Sequence, residues 1–206
     1  MKVVLKSLVC LLFLIGCSSG LDSSRELEKA ETLVKEKDYR AAIKHFKRVI
    51  DRKPESKLAI RAARKAADVA AYSLNDFSLS IEFYRHLVLV SSEFNERLRA
   101  QERIGELLFE KLSDYEAAIA VYSKLERLTE KRKRKFTYGM RIAKSYYRLN
   151  NFYQAQVEAD QLLNLDIKPG QRFQVLLLKG NIKMADEKIE EAIKIYTELI
   201  ENFPQR

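Results

Sequence analysis

DYEAAIAVYSKL, residues Asp114 to Leu125, is the stretch that decides the fold, because four other stretches share its layout. DYRAAIKHFKRV starts at Asp38, DFSLSIEFYRHL at Asp76, NFYQAQVEADQL at Asn151 and KIEEAIKIYTEL at Lys188. The second position is aromatic or Ile in each: Tyr39, Phe77, Tyr115, Phe152 and Ile189. Three residues later comes a small residue (Ala42, Ser80, Ala118, Ala155, Ala192), and four beyond that Phe46, Tyr84, Tyr122, Ala159 or Tyr196. The leading positions are 38, 38, 37 and 37 residues apart. Offsets of three and four are the helical period, and their recurrence at this spacing predicts a helical solenoid. Each hairpin of helices has too little core to stand alone and buries the rest by stacking on its neighbours.

Working outward, every repeated stretch is helix B of a hairpin, and an amphipathic helix A precedes it. The first helix A is expected from about Arg25, opened by Ser23 and Glu26 at capping-box spacing, with Leu27, Ala30, Leu33 and Val34 inward. The repeats are expected over 25–54, 58–90, 96–129, 136–165 and 173–204. Ser113 with Glu116 has capping-box spacing ahead of the third helix B, and Asp186 stands where a cap would open the fifth. The run KRKRK, Lys131 to Lys135, separates repeats three and four, and a turn with Pro169-Gly170 leads into repeat five. Ile193, Tyr196 and Ile200 on the last helix have no capping helix after them, which makes that helix a possible docking surface.

Composition agrees with a folded chain. Of 206 residues 47% are hydrophobic and 33% charged, with three Pro and six Gly, which is too apolar and too Pro-poor for disorder. The net charge of +9 falls to about +7 without Lys2 and Lys6. A basic surface of that size suits nucleic acid, anionic lipid or an acidic partner. The N-terminus narrows the choice. MKVVLK is a short basic region, and the apolar run that follows ends in LIGC, Leu14 to Cys17. That run is too short to span a bilayer, which needs about 20 apolar residues, and fits a signal peptide. Small Gly16 before Cys17, with Leu14 two places earlier, resembles the lipobox of bacterial lipoproteins. The resemblance implies a signal peptide over 1–16, cleavage before Cys17, acylation of Cys17 and a short tether over 17–24. Ser18 in place of Asp after the Cys points to the outer membrane, with the body facing the periplasm. An inner or sole membrane would take its place in a differently organised cell. The other cysteine, Cys10, leaves with the signal, so the mature body has no disulfide, no Cys-based metal site and no Cys nucleophile.

The repeats resemble the tetratricopeptide repeat family, whose pattern places a small residue and an aromatic in helix A and a turn aromatic, small residue, aromatic and Pro around helix B. Repeat five carries Leu176, Lys179, Gly180, Lys183, Ile189, Ala192, Tyr196, Leu199 and Pro204. Repeat one carries Ala30, Leu33, Tyr39, Ala42, Phe46 and Pro54; repeat four carries Ala143, Tyr146, Phe152, Ala155 and Leu162 with Ala159 in the aromatic place. The chain departs in lacking Trp, in lacking the terminal Pro in three repeats, and in a period longer than the family's 34. The resemblance implies an all-α, right-handed superhelical solenoid of about five hairpins over 25–206. With the lipobox, the chain is similar to the repeat lipoprotein of the barrel-assembly machine and to the type IV pilus pilotin. A periplasmic coordinator of wall synthesis is a third possibility.

No phosphate loop, HExxH or nucleophile elbow is present in the sequence, so no catalytic residue and no cofactor or metal is expected. Glu102, Glu106 and Glu110 line one helix face without an opposing ligand in view and read as a charged surface. His45 and His86, set among Lys and Arg in helix B of repeats one and two, are expected at the surface. The run Lys131, Arg132, Lys133, Arg134 and Lys135 reads first as a solvated helix start, opposed to the helix dipole. It is also a candidate patch for anionic lipid, glycan or an acidic partner; nucleic acid is not expected for an exported protein.

The family register places a partner groove on the A helices, at Lys65, Val69, Tyr72, Arg99, Glu102, Glu106, Phe109, Lys144, Tyr147, Arg148, Asn181 and Met184. Tyr72 and Tyr147 are the expected anchors, because aromatics concentrate binding energy where they are desolvated; inter-helix packing is the other use for them. The expected function is a lipid-anchored, non-catalytic scaffold of the cell envelope. It would hold a peptide or helix of an envelope protein in its groove and lipid through Cys17. A lipid- or glycan-binding module using residues 131–135 is the alternative, and a cell-wall hydrolase a remote one.

Overall fold

The structure, a computed structural model, describes residues 22–202. The expected signal peptide, Cys17 and the terminal Pro204 lie outside the described residues. Among those described, all regular structure is helical: α1 (22–35), α2 (Tyr39–Arg52), α3 (Lys57–Tyr72), α4 (Phe77–Val90) and α5 (Phe94–Glu110). These are followed by α6 (Tyr115–Arg127), α7 (Arg132–Arg148), α8 (Phe152–Leu163), α9 (Pro169–Ala185) and α10 (Ile189–Asn202). Odd-numbered helices are the A helices and even-numbered ones the B helices of an all-α repeat fold. The chain forms two compact units, Met1–Arg103 and Ile104–Arg206.

In the first unit α2 packs on α3 and α3 on α4. The middle helix therefore needs a narrow body on two sides, and the sequence supplies one. Ala59, Ala62, Ala63, Ala66, Ala67, Ala70 and Ala71 are all buried, letting the neighbouring backbones approach closely. Phe46 fills the α2 side with no exposed surface, and Ser80 sits equally deep in α4, its Oγ donating to the Ala67 carbonyl at 2.9 Å. A hydroxyl at the small position is thus satisfied by the facing helix. In the second unit α6 packs on α7, α7 on α8, α8 on α9 and α9 on α10. Its core includes Phe136, Met140, Ala143, Ala155, Ala159, Leu162, Val175, Leu178 and Ile182. Ala159 in the aromatic place is fully buried there.

The helix A to helix B turn explains why the motif begins where it does. Asp38, Asp76, Asp114 and Asn151 are N-caps whose side chains accept the backbone N–H three residues on, at 3.0 to 3.2 Å. The residue before each motif is left-handed: Lys37, Asn75, Ser113, Asn150 and Glu187, with φ between 52° and 64°. In repeats one, four and five the pair closes a Schellman motif, as in Asp38 N to Leu33 O at 2.9 Å with Lys37 N to Val34 O at 3.1 Å. In repeats two and three the return bond is one residue longer, from Asp76 N to Ala70 O and from Asp114 N to Leu108 O.

Several local expectations about caps, helix starts and burial fail. Ser113 is the left-handed turn residue, and Asp114 caps α6. Asp186 ends α9 and pairs with Lys188 at 2.6 Å instead of opening α10. Ser23 is not a cap ahead of α1; residues 22–24 are already helical and Ser23 is buried, so the expected tether reaches less far than residue 24. Helices α7 and α9 start four residues early, at Arg132 and Pro169. KRKRK is the start of a helix, in agreement with the first reading of that run, and Pro169 occupies the first helical position, where its missing N–H costs nothing. Neither histidine is a plain surface residue. His45 is buried with Nδ1 2.6 Å from Glu26 Oε2, and His86 is half-buried with a covered Nε2.

Candidate functional site

In the first unit, the helix A residues are organised by two acids. Glu31 on α1 accepts from Arg61 at 2.8 Å and pairs with Lys65 at 3.2 Å, both on α3. Glu96 at the start of α5 is buried; it receives Arg64 Nε at 3.0 Å and Arg99 at 3.0 Å. Burial opposes ionisation of Glu96, but hydrogen bonds from Arg64 and Arg99 outweigh it and hold the carboxyl below its ordinary value. Arg99 is thereby oriented while its outer face stays exposed. Val69 is 7% exposed and belongs to the core, so it is removed from the groove set; its place on the Ala-rich face of α3 turns it inward. Tyr72, at the C-terminal end of α3, is 66% exposed, and the Arg103 guanidinium lies 5.6 Å from its ring centroid. Glu102 is half-buried.

In the second unit, Phe109 is half-buried between two partners. Tyr115 meets it edge-on at 5.5 Å, and the Arg141 guanidinium lies 4.7 Å from its centroid. Arg141 also donates to Glu110, so cation, ring and carboxylate form one cluster on α5 and α7. Glu106 is half-buried on the same helix, and Lys144 and Arg148 are exposed on α7. Tyr147 is half-buried, 6.2 Å from the Phe152 ring and packed against the core, so part of its surface is spent on packing. On α9, Asn181 accepts the Tyr196 hydroxyl at 2.9 Å, and Met184 is 41% exposed.

The basic run is divided. Lys131 is the N-cap of α7 without a side-chain bond, Arg132 pairs with Asp166, and Lys135 donates to Glu130 at 3.1 Å. Two half-buried carboxyls lie nearby. Burial raises Glu126 above its ordinary value, partly offset by Lys135 and Arg127, and burial with the charge of Glu126 raises Glu158. Among the described residues no group of three or more His, Cys, Asp or Glu could hold a metal ion.

Sequence reasoning missed Arg103, Arg141, Glu31 and Glu96, the residues that orient the rest. Apart from Arg99, their partners lie on helices of the neighbouring hairpin, and no spacing rule reaches them. Only the i,i+3 pair of Glu96 and Arg99 left a local signal.

Two tetratricopeptide repeat family models match the chain, over residues 174–206 and 27–56. No curated protein matches the sequence. Solved structures share the fold at low identity. The MamA protein is 15% identical with a TM-score of 0.62, covering 91% of this chain and 98% of that one. A tetratricopeptide repeat protein from Parabacteroides merdae is 18% identical with a TM-score of 0.58, covering 89% and 67%. YrrB, described as a TPR protein with an unusual peptide-binding site, is 15% identical with a TM-score of 0.55, covering 88% and 86%.

Proposed function

The chain belongs to the tetratricopeptide repeat family, and from that premise we propose that it is a non-catalytic scaffold of the bacterial envelope, anchored by acylated Cys17. Repeat proteins of this family are in general protein-interaction scaffolds. The observation that carries the reading is Tyr72. A large aromatic ring two-thirds exposed, with a guanidinium over it, is the residue pair that supplies binding energy once a partner excludes water. Oriented cations on α3 and α5 favour an acidic or carbonyl-rich peptide, held without chemistry. YrrB offers a precedent in its fold for peptide binding.

Two measurements test the reading. A photo-crosslinking amino acid at Tyr72 is expected to give a discrete protein adduct in cells, while the same group at Leu89, exposed on a B helix, gives none. Equal or absent adducts at both positions would sink the scaffold reading. Radiolabelled palmitate is expected in the wild type and lost in Cys17→Ala; label that survives the substitution rules out the anchor.

A further inference from the structure

The second unit contains an open cleft of about 640 Å³ that lies outside the helix A groove set. Its floor is apolar, made by Phe136, Leu165 and Ile167. Its rim is cationic, with Arg132 and Lys133 from the start of α7 and Lys168 at the start of α9. Gln171 also borders it, and its side-chain carbonyl accepts the Lys168 backbone N–H at 3.0 Å. That bond caps the first turn of α9.

The charge is poorly matched from within. Asp166 is the one acid on the rim; it pairs with Arg132, and both side chains are largely exposed, at 86% and 68%. An exposed pair of that kind contributes little and yields to a competing anion. Among the described residues Lys133 and Lys168 form no side-chain ion pair, and the first turns of α7 and α9 contain no acid. Three cations over a greasy floor form an amphiphilic recess, complementary to one anionic head with an apolar arm. A volume of several hundred Å³ is that of a small-ligand site.

We propose that this cleft binds a small aliphatic carboxylate, its head between Lys133 and Lys168 and its chain on Phe136, Leu165 and Ile167. A bare anion would engage the rim and leave the floor wet; a flat anionic surface would reach the lysines without entering the recess. The site is independent of the scaffold reading, because none of its residues belongs to the helix A groove.

The test titrates the full chain with three probes by amide-resolved NMR: hexanoate, hexanamide and acetate. Hexanoate is expected to shift amides within 132–136 and 165–171 saturably, with hexanamide and acetate each at least about tenfold weaker, since each lacks one half of the recognition. Lys133→Gln with Lys168→Gln is expected to weaken hexanoate about tenfold, and Lys133→Arg with Lys168→Arg to retain it, at unchanged thermal stability in both cases. Equal responses to all three probes, or shifts scattered over the surface, overturn the proposal. So does sedimentation with vesicles containing phosphatidylglycerol that needs the lysines while hexanoate gives no saturable shift, which would assign the cations to a membrane surface.

Discussion

Tyr196 on α10 lies against Gly180 on α9 so closely that a Cβ built at Gly180 would stand inside van der Waals contact with the ring. The tyrosine is held there by its own hydroxyl, which donates to Asn181 at 2.9 Å. The same relation occurs two repeats earlier, where a Cβ at Gly105 on α5 would meet the Tyr122 ring on α6 at 2.9 Å. The aromatic of helix B thus packs on bare backbone of helix A in both hairpins.

Gly180→Ala is therefore expected to destabilise the protein by about 1–3 kcal/mol, despite the better helix propensity of Ala, because the ring is fixed and must be displaced. Gly170→Ala is the control: no atom lies within 4 Å of its added Cβ, and the helix gains up to about 1 kcal/mol. Thermal denaturation of the two variants separates close approach from propensity. Equal shifts would refute the contact.

The left-handed turn residues give a second outcome. Lys37 at φ 64° and Glu187 at φ 59° pay a steric penalty that Gly avoids, so Lys37→Gly and Glu187→Gly are each expected to stabilise by up to about 1 kcal/mol. Asn150 tolerates this region better, and Asn150→Gly is expected to change little. Chemical denaturation midpoints at constant slope check the order.

Glu26 sets a pH dependence through its contact with the His45 ring. The hydrogen bond with His45 lowers the Glu26 carboxyl below its ordinary value, against a smaller opposing effect of burial. A depressed folded value gives stability that is present above the ordinary range and lost as pH falls through the folded value. Glu26→Gln is expected to cost about 1.5 kcal/mol at pH 7, with the deficit closing as pH falls through the depressed folded value. A deficit independent of pH would show that packing, not charge, is what the substitution removes.

Glu158 behaves in the opposite sense. Burial first, and the Glu126 charge second, raise its folded value, so folding disfavours the ionised form and stability falls as pH rises through the window above the ordinary value. Glu158→Gln is expected to raise the melting temperature at pH 7 and to leave it unchanged near pH 4. A melting temperature lowered at pH 7 would contradict the assignment.

The hairpin fold was legible because its signal is local and repeated. Ala42, Ala118, Ala155 and Ala192 are fully buried as their spacing requires, and the A helices follow from the same period. Cap positions were less legible. Ser113 and Asp114 are both good N-cap residues, and only the backbone decides which of them turns left-handed. The candidate site was least legible. Tyr72 and Val69 sit on one helix at adjacent groove positions in the register, yet one is exposed and the other buried.

The amino-acid sequence by itself determined the helices, their pairing into hairpins and the period at which the hairpins recur, since turn chemistry and 3.6-residue spacing act within a few residues. Tertiary structure alone decided that His45 is buried beside Glu26, that the Arg103 guanidinium meets the Tyr72 ring, and that Arg132, Lys133 and Lys168 line one cleft. The physical reason is range. These relations join helices whose separation in the chain carries no periodic signal, and burial and charge pairing are set only when the helices meet.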